Sequence, residues 1–151
     1  MKVGITGHQK LENPSKIESA IEESIKSIKK PVIGLTSLAK GADQIFGKAV
    51  LNNSGSLWVI LPFKNYDAVF VDTSDCDGYF QLLKKAEKVE TLEMTGSKEK
   101  SYFAAGKRIV DLADIMIAVW NGKKAAGLGG TGDIVAYAEQ IDKKVIYINP
   151  E

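Results

Sequence analysis

Residues 115–133 read IMIAVWNGKKAAGLGGTGD, and this stretch decides the fold. Its first six residues, 115–120, are apolar without alternation, as in a strand buried on both faces of a helix-covered parallel sheet. The end of the stretch, Gly127-Leu128-Gly129-Gly130-Thr131-Gly132-Asp133, brings together four glycines, a hydroxyl and a carboxylate. A helical pattern follows at once, carrying Ile134, Ala138 and Ile141. Strand, glycine turn and helix in that order form a unit in which the amides of a helix N-terminus meet an anion. Such a loop can hold a phosphate; whether the chain would also cut the molecule it holds is the question the rest of the sequence must answer.

The same alternation runs through the chain. KVGIT (2–6) reads as the first strand, followed by the polar loop GHQKLENPS. A helix is expected from about Ser15, where Ser15 and Glu18 have capping-box spacing and Ile17, Ile21, Ile25 and Ile28 form one stripe. VIGLT (32–36) is the second strand, and a helix from Gly41 to about Leu51 turns Ala42, Ile45, Phe46 and Ala49 inward. LWVIL (57–61) is the third strand, ended by Pro62. Residues 62–78 are long for a connection, which points to a functional loop. A helix near 79–87, a short strand near 88–93 and a helix over 98–112 with Tyr102, Ile109 and Ala113 on one face come next. VIYIN (145–149) is the last strand. The expected fold class is α/β: a three-layer α/β/α Rossmann-like domain, residues 1–151, around a mostly parallel, doubly wound sheet.

Composition narrows the function. The 151 residues are 44% hydrophobic, enough for a core, and Lys+Arg 20 against Asp+Glu 19 leaves a net charge of +1. A near-neutral chain is a poor polyanion binder, so nucleic acid is not the expected partner, whereas a small anion needs only a few local donors. One cysteine, Cys76, excludes an intrachain disulfide and fits a reducing compartment. The start runs directly into a strand pattern and no apolar run reaches membrane-spanning length, so a cytoplasmic protein without a membrane partner is expected.

In a doubly wound sheet, ligands lie beyond the carboxyl ends of the strands, where the winding reverses. The loop after the first strand (Gly7, His8, Gln9) should face the loop running from Trp120 to Thr131. The loop Ser37-Leu38-Ala39-Lys40-Gly41 should lie alongside. All three are rich in small residues and lead towards helices. Spacing excludes a nucleoside-triphosphate loop, because G-x-x-x-x-G-K-[ST] is absent. G-x-G-x-x-G does occur at 127–132, but after a late strand and without an acidic ribose partner ending the next one. A tight turn with Thr131 as a helix cap is the plain alternative for this loop taken alone. The convergence of three loops favours a nucleotide-like ligand.

Four segments in order, GITGHQ, SLAKGADQ, ILPF and DIMIAVWNG…GGTGDIVAYA, resemble the SLOG superfamily over nearly the whole chain. This Rossmann-like group contains cytokinin-activating phosphoribohydrolases, the DprA-type fold and nucleotide sensors. The sequence is most similar to the sensor branch found with antiphage systems such as Thoeris, whose SLOG domains bind cyclic ADP-ribose-type signals. The resemblance implies ligand contacts from Gly7, His8 and Gln9, from Ala39, Gly41, Ala42 and Asp43, and from Gly129, Gly130 and Thr131. Many relatives carry a basic residue where Gln9 stands; Lys10 is the cation that would replace it.

The enzymatic branch has a glutamate three residues after the threonine of its G-G-x-G-T-x-x-E motif. Here that position is Ile134, on the apolar stripe of the last helix. Cleavage of an N-glycosidic bond needs charge stabilisation at the ribose and an activated water, and the residue that would supply them is missing. Asp133 lies about 100° around the helix from it. As an alternative to pure binding, a nucleotide N-glycosidase or phosphoribohydrolase would have to use Asp133; a DprA-like DNA-handling module is a third reading.

The leading expectation is therefore binding of a nucleotide or nucleotide-derived signal, ADP-ribose-like or cyclic ADP-ribose-like, with little or no catalysis and no resident cofactor. Loop amides would hold phosphate, helped by Lys10 or Lys40, and Asp133 or Asp43 would take ribose hydroxyls. Phe63 and Tyr66, after the third strand, would stack a base or pack under the long loop, and Trp120 would stand at the pocket rim. His8, the only histidine, cannot build a zinc site with Cys76 alone; it either bonds the ligand or sits on an exposed loop. Cys76, between Asp75 and Asp77, is not expected to act as a nucleophile. The broken D-x-D spacing over 72–78 points to turns and helix caps rather than calcium. A sensor also implies a homo-oligomer or an effector protein.

Overall fold

The computed structural model describes residues 1–124 and 130–151. Six strands, β1 (Lys2–Gly7), β2 (Ile33–Thr36), β3 (Ser56–Leu61), β4 (Lys88–Thr91), β5 (Ile115–Val119) and β6 (Lys144–Ile148), form one sheet. Their order is β4-β3-β2-β1-β5-β6, with every pairing parallel. The chain winds outward from β1 through β4, then crosses back to lay β5 on the other side of β1. The winding therefore reverses between β1 and β5, as the doubly wound expectation requires.

Five helices cover the sheet: α1 (Pro14–Ser27), α2 (Ala42–Asn52), α3 (Thr73–Lys84), α4 (Lys98–Leu112) and α5 (Thr131–Gln140). On one face Ile17, Ile21 and Ile25 of α1, Phe46 and Val50 of α2 and Leu82 of α3 pack with Val3, Ile5, Leu57, Val59 and Ile117 of the sheet. On the other, Ala105, Ile109 and Val110 of α4 and Ile134 and Ala138 of α5 pack with Leu35, Ile60 and Met116. Alternate residues of each central strand thus enter opposite cores, which is why β5 is apolar at every position.

Several boundaries differ from the sequence reading. Asn13, not Ser15, caps α1: its Oδ1 accepts from the Lys16 N–H at 3.4 Å, and Pro14 opens the helix. Asparagine is among the best caps and proline suits the first helical position, so this pair moves the start ahead of the capping box. The helix expected near 79–87 runs instead over Thr73–Lys84, started by Asp72, whose Oδ1 accepts from the Ser74 N–H at 2.8 Å. Gly130 is the N-cap of α5 and Thr131 its first residue, so Thr131 does not cap. Ile141 is the C-cap residue of α5 and is exposed, leaving the stripe to Ile134, Val135 and Ala138. Among the described residues, no helix is long and apolar enough to cross a membrane.

Candidate functional site

The loops after β1, β2 and β5 are tied together by their own backbones. The His8 N–H donates to the Val119 carbonyl at 3.2 Å, and the Ala42 N–H donates to the His8 carbonyl at 3.2 Å. The Asn121 N–H donates to His8 Nε2, also at 3.2 Å. Gly41, at φ +83°, lies so near the β1 loop that a β-carbon there would stand 2.5 Å from the Gln9 carbonyl oxygen. A left-handed backbone with no room for a side chain is the reason for glycine at this crossing.

Between these loops and α4 lies a hollow of about 500 Å³. Gly7, His8 and Gln9 line it from the β1 loop, and Ser37, Ala39 and Asp43 from the β2 side. Asn121, Lys123 and Lys124 come from the β5 loop, and Gly130, Thr131 and Gly132 from the start of α5. Pro62, Tyr66, Tyr102, Ala105 and Gly106 complete the lining, with Ile5, Ile109 and Ile134 adding apolar surface. The first-turn amides of a helix have no partner within the helix and carry its partial positive charge, so the α5 end suits an anion. The stretch of wall with Pro62, Tyr66 and Tyr102 suits a flat, weakly polar group.

The sequence-predicted residues divide on this geometry. Gly7, His8, Gln9, Ala39, Asp43, Gly130 and Thr131 line the hollow together. Gly129 lies outside the described residues. Lys10, Lys40, Gly41, Ala42, Phe63, Trp120 and Asp133 do not line it. Gly41 and Ala42 instead hold the β1 and β2 loops together. Lys10 borders a separate shallow depression with Glu12 and Glu151, and the lysines on the main hollow are Lys123 and Lys124. Phe63 is buried in the core, its ring 5.8 Å from Tyr66 and 5.9 Å from Tyr102, so it packs under the long loop. Trp120 follows β5, donates its indole N–H to the Lys123 carbonyl at 2.8 Å and lies beside Tyr147. It braces the loop that carries the two lysines.

Ile134 is buried against Gly106, where a β-carbon would stand 2.2 Å from its Cδ1. Ile134 also lines the hollow with alkyl surface, and α4 approaches closely because Gly106 has no side chain. Asp133, in the first turn of the same helix, does not line the hollow.

Asp43 is buried at the hollow's edge. Its Oδ2 accepts from the Ala39 N–H at 3.3 Å, and the Thr36 hydroxyl and Ser37 backbone also bond to it. Burial outweighs these bonds and pushes its carboxyl up to about 7. Tyr66 and Tyr102 are both shifted upward, mainly by burial; for Tyr66 the Asp43 charge is the next cause. The sequence pattern placed Tyr102 on an inward helix face without revealing that the face borders a hollow. Lys123 and Lys124 carried no signal beyond lying in the long β5 loop.

No protein-family model matches the sequence, and no curated protein matches it. Solved structures do share the fold. The DNA processing protein A (DprA) of Streptococcus pneumoniae is similar over 98% of this chain, at 17% identity and a TM-score of 0.69. This chain spans 50% of that protein's length. TM1055, a structural-genomics target, is similar over 95% of this chain and 71% of its own, at 15% identity and a TM-score of 0.62. The molybdenum cofactor binding protein of the phototrophic bacterium Rippkaea orientalis is similar over 97% of this chain and 74% of its own. Its identity is 20% and its TM-score 0.57. The chain has the Rossmann-like α/β fold of these proteins.

Proposed function

We propose that residues 1–151 form one nucleotide-binding domain of SLOG type that holds a nucleotide or nucleotide-derived signal, ADP-ribose-like or cyclic ADP-ribose-like. The observation that carries this reading is the meeting, in one hollow, of the first turn of α5, the β1 and β2 loops and the Tyr66–Tyr102 wall. Phosphate rests on the α5 end with Lys123 and Lys124 beside it, and the base or ribose reaches towards the tyrosines. Volumes of this order suit small-molecule sites. A cofactor-binding protein among the fold neighbours supports a small-molecule role. As a sensor, the domain passes its ligand state to a second copy or to an effector protein.

Binding without cleavage is favoured by Ile134, whose alkyl side chain can neither activate water nor stabilise a ribosyl cation. The test is thermal denaturation with AMP, NAD, ADP-ribose and cyclic ADP-ribose. A ligand at a hundredfold excess over its Kd should add about 2.7 kcal/mol, a rise of several degrees in Tm. Failure of the whole panel to shift Tm would remove this reading. Chromatography of the same mixtures should show no released base. Steady release that stops in Asp133→Asn would establish the N-glycosidase instead.

A further inference from the structure

The β2 side of the hollow holds a buried carboxyl, that of Asp43. Asp43 Oδ2 takes the Ala39 N–H, Thr36 Oγ1 accepts from the Leu38 N–H at 3.0 Å, and the Thr36 hydroxyl turns to Asp43. These bonds fix the carboxyl in place at the hollow's edge. Ser37 Oγ is engaged by donation to the Ile60 carbonyl at 2.7 Å. Tyr66 lies near it, and the hollow that Asp43 lines also has the apolar or phenolic residues Pro62, Ala105, Ile109 and Tyr102 in its wall. A carboxylate set in such a wall lacks the solvation it would have in water, and a ligand N–H or O–H supplies what is missing as a charge-assisted hydrogen bond.

We propose that Asp43 is the specificity-determining acceptor of the hollow, reading an N–H or O–H donor at the non-phosphate end of a nucleotide-like ligand and releasing its own proton as that ligand binds. This rests on the nucleotide-binding reading and names the chemistry at the far end of the same site. A buried carboxyl that titrates near neutrality makes the exchange observable. Of the titratable groups, Tyr66 from the long loop interacts with Asp43, and Tyr79 of α3 and Tyr102 of α4 stand beside Tyr66. His8 faces the hollow from the β1 loop, and Lys123 and Lys124 face it from the β5 loop. Comparing variants at Asp43 alone leaves all of these constant.

The probe is ADP-ribose, whose pyrophosphate does not titrate between pH 6 and 8. Its affinity for the wild-type protein should rise about tenfold from pH 6 to pH 8. Asp43→Asn, which keeps an oxygen for the Ala39 N–H, should bind more weakly at pH 8 and lose that rise. In the wild-type protein alone, calorimetry in two buffers of different protonation enthalpy should show a proton released at pH 6 and almost none at pH 8. The hypoxanthine and 2′-deoxy analogues assign the donor: the one that removes the pH slope lacks the group Asp43 reads. Wild-type binding whose pH profile is unchanged in Asp43→Asn, or whose affinity falls with pH, overturns the acceptor role while leaving nucleotide binding standing. Absence of ADP-ribose binding at every pH overturns this inference, and failure of the rest of the nucleotide panel as well removes the parent reading.

Discussion

The two ends of the sheet finish their backbone hydrogen bonds by different means. At the amino ends of the strands, individual residues bridge neighbouring segments directly. The Lys2 N–H donates to Asp114 Oδ2 at 2.8 Å and the Asp114 N–H returns a bond to the Lys2 carbonyl at 2.8 Å. Lys143 Nζ reaches the Ala113 carbonyl at 2.6 Å, and Lys2 and Lys88 both stand over the Trp58 ring. At the carboxyl ends, loops bond to loops and leave a hollow between them. The difference follows from the direction of the helices. In a parallel α/β sheet every helix begins at the carboxyl edge, so amide donors and positive partial charge collect there, while carbonyls collect at the other edge and draw lysine and backbone N–H groups.

The sharpest way to break this contrast is to change the buried carboxyl of Asp43. A carboxyl raised in the folded state takes its proton more readily there than in the unfolded chain. Its stabilising contribution is therefore greatest below the unfolded value and falls as pH climbs towards about 7, levelling off above it. The slope is at most about 1.4 kcal/mol per pH unit. Urea melts from pH 4 to 8 should show this decline in the wild-type protein relative to Asp43→Asn, and Asp114→Asn at the opposite edge should track the wild type. Coincident wild-type and Asp43→Asn profiles would show that the carboxyl is not buried in solution.

A paired glycine replacement sharpens the comparison at a smaller scale. A β-carbon on Gly55, in the turn between α2 and β3, would stand 2.7 Å from the Val32 carbonyl oxygen. One on Gly41 would stand 2.5 Å from that of Gln9. Each change to alanine should cost about 1–3 kcal/mol. Gly41→Ala should also weaken nucleotide binding, because it forces apart two loops that line the hollow; Gly55→Ala should leave affinity unchanged. Equal loss of affinity in both variants would mean that the loops are not a local determinant of the site. The smallest effect belongs to Asp114→Ala, where an exposed hydrogen bond is lost. A cost below about 1 kcal/mol in chemical melts and no change in ligand affinity are expected.

Much of this contrast is legible in the sequence. Unbroken apolar runs such as IMIAV mark strands covered on both faces, and their alternation with helical stripes fixes the winding. Other features depend on distant partners. The run DTSDCDG has the composition of a turn, yet Gly78 lets the Gln44 side chain approach α3, and Gln44 Nε2 bonds both the Leu38 and Asp75 carbonyls. Phe63 follows a strand end as a stacking residue would, but strand position does not say which aromatic neighbours engage it; Tyr66 and Tyr102 do. Asp43 could be named as a polar residue at a helix start, whereas the burial that governs its proton is a property of the packed fold. The lysines of the β5 loop were hidden for the same reason: sequence neighbours show which loop they belong to, not which wall they face.

The central position of β1 has a consequence for how the protein comes into being. As the chain leaves the ribosome, β1 and β2 emerge early, but the other neighbour of β1 is β5, more than a hundred residues later. Until that partner arrives, one flank of the innermost strand is an open template for pairing with another molecule. A nascent or truncated chain that stops within α4 therefore has a sticky edge and lacks the β5 and α5 walls of the hollow. Co-expressing residues 1–112 with 113–151 should convert an aggregating fragment into a soluble pair.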